Sequence, residues 1–353
     1  MAELGVLIVG LLVLAGWMVY RRGTRRNPTL ENGSTPAASP VASRLDGAQV
    51  AIASDLMALR LWKLAFAAPV QPPPLVRAHA RVRDLICAVL QVDTLDPNYF
   101  PRRPTLMPQL MQAIKDPNAD SEKLSRMIAH DPVLTADVLR LANSSLYKIS
   151  LAPIETIQRA IVVCGVDALR GILVTAMLRP VFRATRTNFP RLPRMLWERT
   201  ERAARAAELY AAKLHPQDRF EAQLVVLLSA LGPLVVYSAA LDGYSRAPAL
   251  TPNPTLFVEL IRTLGPQMSQ RIARDWQTSP RLIAVLEKSG EDTLATALHV
   301  GELLGTLSLL EAQMIISRAE RLDIVKNAGI PHELMDGIWT RIAGSAQSKS
   351  EST

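Results

Sequence analysis

Two runs of sequence decide how this chain folds: PTLMPQLMQAIKDPNADSEKLSRMIAHDPVLTADVLRLANSSLY, residues 104–147, and PIETIQRAIVVCGVDALRGILV, residues 153–174. Helix punctuation is dense in both. Asp120 or Ser121 can cap a helix reaching about Ala129, with Leu124, Met127 and Ile128 inward. Asp131 is an acceptor for free N–H groups, and Pro132 follows at the first helical position, where the missing N–H costs nothing. Leu134, Val138 and Leu141 then recur on one helical face up to Asn143, with Leu139 beside it. Asn143-Ser144-Ser145 reads as a helix end rather than a nucleophile, because short polar side chains satisfy free backbone groups there. Pro153 opens another helix with Ile154, Ile157, Ala160 and Ile161 inward; Gly165 closes it, and Asp167 is placed to cap 168–178.

Outward from these runs, the same reading places helices at 195–213, 220–240, 254–262, 266–276, 280–287, 292–316 and 331–342, and no strand alternation. N-terminal to them, 45–66 carries Ile52, Leu56, Leu59 and Phe66 at helical spacing. Residues 75–90 carry Val82, Leu85, Ile86 and Val89 on one face. Prolines 69 and 72–74 separate the two, and DPNYFPRRP (96–104) follows, so a domain boundary is expected near 103. The expected division is 1–22 membrane anchor, 23–44 basic flexible tether, 45–103 helical linker region, 104–345 helical domain and 346–353 tail. The fold class expected is all-α: a multi-helical bundle preceded by a single transmembrane helix.

The anchor is LGVLIVGLLVLAGWMVY, residues 4–20, which lacks any charged residue. At about 1.5 Å per residue it spans about 25 Å, close to the thickness of a hydrocarbon core. Arg21, Arg22, Arg25 and Arg26 follow it, while only Glu3 is charged before it. Basic residues stay on the cytoplasmic side, so the remainder is expected inside and the helix uncleaved. The localisation expected is single-pass in the inner, cytoplasmic membrane of a bacterium.

Of the +8 net charge, +5 lies in residues 1–103 and only +3 in 104–353. The nearly balanced domain argues against nucleic acid as a partner. The basic concentration inside the domain is 179–205, with eight arginines against Glu198 and Glu201. Arg191, Arg194, Arg199, Arg202 and Arg205 form a candidate basic interaction surface. The plainer reading is a solvated helix face with i,i+4 pairs Glu198–Arg202 and Glu201–Arg205. Phe182, Phe189 and Trp197 lie among these arginines, but Trp197 reads as core. Cys87 and Cys164 each sit in apolar runs and read as small core residues. His79, His130, His215, His299 and His332 show no metal-ligand spacing and read as surface or helix-end residues.

Together the two opening runs resemble the HDOD domain. The features are the Leu106-Met107-Pro108 start, Ile128-x-x-Asp131-Pro132, Leu139-Arg-Leu-Ala-Asn-Ser-Ser-Leu-Tyr147, and the helix Ile154…Ala160-Ile161…Gly165 with its successor. The likeness extends over about 104–310. It implies a non-enzymatic relative of the HD phosphohydrolases, which hold metal through histidines and a His-Asp pair. By that resemblance, the family's leucine-tryptophan segment falls on Leu196–Thr200, and the His-Asp pair on Ser229-Ala230. A later histidine would fall between Gly265 and Met268, and a His-His pair around Lys288–Gly290. None of these stretches holds a histidine or aspartate, and Glu198 is their one carboxylate. The expectation is therefore no catalytic residue, no metal and no cofactor. The function expected is a membrane-tethered signalling or scaffolding module acting through a protein partner, with a nucleotide second messenger as a candidate ligand. The alternative is a metal-dependent phosphohydrolase with an unconventional site.

Overall fold

Many of the helices start at a short polar residue whose side chain accepts from free backbone N–H groups. A computed structural model of the chain describes residues 46–66, 74–92, 125, 128–129, 131–147, 152–179, 189–287 and 292–343. These hold twelve α-helices: α1 Gly47–Ala65, α2 Arg77–Gln91, α3 Pro132–Ala142, α4 Ile157–Cys164, α5 Val166–Leu178, α6 Leu192–Leu214, α7 Arg219–Ser245, α8 Pro254–Asp275, α9 Pro280–Leu286, α10 Thr293–Ala312, α11 Arg318–Asn327 and α12 His332–Ile342. No strand occurs among the described residues. The expected anchor, tether and tail lie outside them. Asp46 caps α1, and Asp131 caps α3 ahead of Pro132. Thr156 caps α4, Asn253 α8, Ser279 α9 and Asp292 α10.

The centre of the fold is α6, α7 and α10. α10 packs on α6, α6 on α7, and α7 on α8, while α3–α5 gather at the side of α7. α7 and α10 are apolar enough to cross a membrane, yet 78% and 72% of their most apolar windows are buried inside the protein. A helix that is hydrophobic all round needs such burial. Close approach of α10 to α6 depends on small residues. A Cβ on Gly301 would stand 2.6 Å from the Ala203 carbonyl oxygen, and one on Gly305 2.6 Å from the Ala203 nitrogen.

The boundary expected near 103 is not where the chain divides. All the described residues fall in one unit, Ser39–Thr353. α1 packs on α10, and α2 on α7. Phe66, at the end of α1, meets Phe189 edge-to-face at 4.8 Å and Phe257 at 5.6 Å. Val82, Ile86 and Leu90 bury the inner face of α2. His79, in the first turn of α2, is a helix-end residue as expected, and it is buried as well. Its Nδ1 accepts from the Val76 N–H at 3.1 Å, which leaves Nε2 to donate to the Thr251 carbonyl, 3.3 Å away.

Three other expectations change. 254–262 and 266–276 form one helix, α8, continuous through Pro266. α5 begins at Val166, and Asp167 lies in its first turn, bonded to Arg170. α11 was not expected, because it buries only Arg321 and Val325 and so shows no apolar periodicity.

Between α10 and α11 the chain turns with Met314 at φ 56°, its side chain 91% exposed. The Ile315 N–H reaches the Leu310 carbonyl and the Met314 N–H that of Glu311, so this is a Schellman-type helix end with Met in glycine's place. Met314→Gly is expected to raise folding stability by about 1 kcal/mol, measured by urea denaturation.

At the opposite end of α10, Arg281 donates to Asp218 at 2.6 Å and 2.8 Å, and to Asp292 at 2.8 Å and 2.9 Å. Hydrogen bonding to Arg281 holds the Asp218 carboxyl below its usual range and takes Asp292 to about 2. Carboxylates held low contribute stability that is full above about pH 4 and is lost as pH falls towards 2. Stability is therefore expected to fall across that window, and less steeply in Arg281→Ala, as urea midpoints at each pH would reveal.

Candidate functional site

Mid-helix prolines leave carbonyls without a donor, and α7 and α8 carry one each, Pro233 and Pro266. Pro233 frees the carbonyl of Ser229. The Ser269 hydroxyl of α8 donates to that carbonyl at 2.9 Å and accepts from the Gly232 N–H at 3.1 Å. Gly232 permits this crossing, since a Cβ there would stand 2.0 Å from the Gly265 carbonyl oxygen. The two prolines consequently line one groove of about 1260 Å³.

The walls of the groove are α1, through Leu59, Trp62 and Phe66, and α8, through Thr255, Val258 and Arg262. Its floor combines Leu196 and Arg199 of α6, Ser229, Ala230 and Pro233 of α7, and Leu298, His299 and Glu302 of α10. Val285 and Leu286 of α9 close one side. Arg199 is 8% exposed. Its Nε donates to Thr306 Oγ1 at 2.8 Å, and its guanidinium lies 3.6 Å from Glu302. Glu302 also accepts from the Ser229 hydroxyl at 3.3 Å. Lys63 and Arg262 stand with Asp55 and Glu259 around the groove, so both signs of charge are present.

Positions assigned by resemblance thus converge in space. Leu196 and Arg199, the Ser229-Ala230 pair, and Pro266 from the third stretch all line the groove. Lys288–Gly290 lies outside the described residues, although its neighbours Val285 and Leu286 are on the wall. A divalent metal needs several imidazole or carboxylate donors around it. The groove floor offers His299 and Glu302 beside an arginine, with Asp55 and Glu259 apart from them on α1 and α8, a donor set that does not fit one. Among the described residues, no three His, Cys, Asp or Glu side chains gather closely enough to hold a metal ion.

The five arginines of the candidate surface do not share a surface. Arg191 and Arg194 are exposed, but Arg199 and Arg205 are buried. Arg202 bonds to Glu198 at 2.8 Å, as expected, and also to the Ser308 hydroxyl at 2.7 Å. The expected Glu201–Arg205 pair is replaced. Glu201 accepts from Arg140 and from the Trp197 indole, while Arg205 donates to Glu208 at 2.6 Å. The physical reason is that α6 is central, so three of its arginines face neighbouring helices and not solvent. Trp197 and Phe189 are likewise buried, and Phe182 lies outside the described residues.

Arg205 leads into a second polar cluster. Its guanidinium lies 4.6 Å from the centre of the Tyr147 ring. Glu208, 2% exposed, also accepts two bonds from Arg219, at 2.6 Å and 2.8 Å. Burial pushes the Tyr147 hydroxyl and the Cys164 thiol above their usual ranges. Gln223 donates to the Tyr147 hydroxyl and to the Gly171 carbonyl. Asn143 brackets Ile154, accepting from its N–H at 2.8 Å and donating to its carbonyl at 2.7 Å. The Asn143–Tyr147 segment is therefore structural, tying α3–α5 to α6 and α7.

Sequence reading missed Trp62, Ser269, His299, Glu302 and Thr306. Pro233 inside an apolar helix and the Gly301/Gly305 pair signal an unusual helix contact, but neither says which helix lies opposite.

The HDOD domain profile matches residues 100–291. None of the curated proteins compared matches the chain. Among solved structures, an HDOD domain protein of unknown function from Geobacter sulfurreducens is 17% identical with TM-score 0.51, over 75% of this chain and 97% of that one. An inferred metal-dependent phosphohydrolase from Shewanella amazonensis SB2B is 17% identical with TM-score 0.48, over 76% and 97%. The MmoQ response regulator of Methylococcus capsulatus str. Bath is 20% identical with TM-score 0.35, over 66% and 94%. The first of these likenesses supports the fold.

Proposed function

Because the chain belongs to the HDOD family, we propose that it is a non-catalytic signalling module that receives a partner-protein segment or a small ligand in the groove between α1 and α8. The observation that carries this reading is the groove floor. Where the resemblance puts metal-binding positions, Ser229, Arg199, Glu302 and Thr306 bond to one another. The α1 wall is apolar and the α8 wall mixes Val258 with Thr255 and Arg262, with charges of both signs around them, a combination suited to an amphipathic segment. Such a site binds and orients; it lacks the donor set for activating water. A nucleotide second messenger is a narrower version of the same reading. Placement at a bacterial cytoplasmic membrane, with the helical domain inside, rests on the apolar run Leu4–Tyr20 and the four arginines after it.

Val258→Trp tests the reading. Val258 is half-buried on the α8 wall, so a larger side chain fills the groove without entering the core. Full-length protein carrying a photo-crosslinker at Thr255 is expected to capture a discrete membrane-associated partner or ligand. The Val258→Trp variant, with unchanged circular dichroism, should lose at least about ten-fold of that signal, as when a hot-spot pocket is blocked. Equal capture by both would sink the groove as the site. Stoichiometric metal together with metal-dependent nucleotide hydrolysis in the purified full chain would instead establish the phosphohydrolase alternative.

A further inference from the structure

α1 has two apolar faces. Val50, Met57 and Leu61 turn inward, while Ile52, Leu56 and Leu59 lie on the other side at i, i+4 and i+7 spacing. Ile52 is 60% exposed and Leu56 55%. Sequence spacing put this row on one helical face with Phe66; in the structure Phe66 is buried, Ile52 and Leu56 are exposed, and Leu59 is half-buried at the groove. Asp55 and Lys63 border the row, each four residues from Leu59. Neither side chain has a hydrogen bond or ion pair among the described residues.

We propose that this face of α1 is the contact between two copies of the chain, packed antiparallel about a twofold axis at Leu59. A twofold contact presents the same patch from both sides, so the patch must complement itself. This one does. With Leu59 on the axis, Asp55 comes level with Lys63 of the second copy, and Lys63 with its Asp55, on either side of an apolar strip. The strip is about 11 Å long from Ile52 to Leu59, at 1.5 Å per residue. A lipid surface suits the patch less well. Interfacial helices concentrate cations on their polar side, whereas here a carboxylate borders the row and Arg60 is engaged with Glu320 of α11. Asp55, Leu59 and Lys63 also line the α1 side of the groove, so a second copy packed there would compete with a groove occupant for that edge.

The test uses the full chain in mild detergent, followed by sedimentation equilibrium. Asp55→Lys or Lys63→Asp alone places like charges together twice across the axis, and each is expected to weaken the dimer roughly ten-fold. The double variant Asp55→Lys/Lys63→Asp restores both pairs and should recover most of that loss. Ile52→Glu with Leu56→Glu should leave a monomer. In a Cys87→Ser/Cys164→Ser background, Leu59→Cys should crosslink to itself through a short bismaleimide, and Val133→Cys, on the exposed side of α3, should not. A monomer at every concentration up to about 100 µM overturns the proposal, as does a dimer indifferent to both the charge swap and the glutamates. Vesicles of anionic phospholipid provide the remaining arm. Binding that Ile52→Glu/Leu56→Glu abolishes, with the unsubstituted chain monomeric, assigns the row to lipid and also overturns it.

Discussion

Glu208→Ala is expected to lower folding stability by about 3–5 kcal/mol, the usual cost of removing one member of a buried ion pair. Glu208 is 2% exposed and neutralises Arg205 and Arg219 together. Arg219 is 31% exposed on its side chain and lies 3.7 Å from Asp167, so it can turn outward. Arg205 has no such exit, because it lies between Tyr147 and Glu208 in the core. An unpaired guanidinium would remain there without water. The double variant Arg205→Met/Glu208→Leu removes the charge along with its partner and should lie much nearer the unsubstituted protein, since apolar groups of similar volume often replace buried pairs at little cost. Urea denaturation of the two variants and both singles would measure the coupling. A loss under about 1 kcal/mol in Glu208→Ala would mean that Arg205 reaches water, contrary to the packing described.

Gly305→Val is expected to cost about 3 kcal/mol or more, the upper range for overpacking, with loss of the groove floor. At Gly305 a Cβ would stand 2.6–2.7 Å from the backbone and Cβ of Ala203, atoms that cannot swing aside. α10 would have to move off α6, and the Arg199–Thr306 bond, within one turn of the contact on both helices, would lengthen. Gly337→Ala is the matched control. Its added Cβ meets only the Nζ and Cε of Lys213, the end of a flexible side chain. Better helix propensity should then leave stability equal or up to about 1 kcal/mol higher. Thermal melts would separate the two cases. Equal melting points for Gly305→Val and the unsubstituted chain would contradict the close crossing.

Reading outward from residues 104–174 recovers helix type and most starts, because caps and apolar periodicity act within a few residues. Asp131-Pro132, Thr156 and the apolar row Leu134, Val138, Leu141 behave in three dimensions as they read in one. α8 was read as two helices because Pro266 normally interrupts a helix, and here packing against α7 carries the helix through it. α11 was missed for the opposite reason. It is held by Arg321 stacked 4.0 Å from the Trp339 ring and placed 2.7 Å from Glu311, contacts with residues on either side of it in the chain.

The site was legible only as a set of separate stretches. Resemblance marked Leu196–Thr200, Ser229-Ala230 and Gly265–Met268, and their lack of histidine and aspartate follows from the sequence alone. That they face one cavity is a tertiary fact, as is the identity of its other wall. α1 ends at Ala65 and α6 begins only at Leu192, and nothing local announces that Trp62 and Phe66 close a groove floored by Ser229 and Glu302.

By itself the sequence determined the all-α class, the helix punctuation and the absence of the expected metal-ligand types at the positions matched. Those are local properties, fixed by backbone hydrogen bonding and residue chemistry. Only the tertiary structure decided which arginines are surface and which are core, which face of α1 is free, and where the groove lies. Such questions depend on what stands opposite each helix face, and long-range packing sets that through contacts that leave no mark in neighbouring residues.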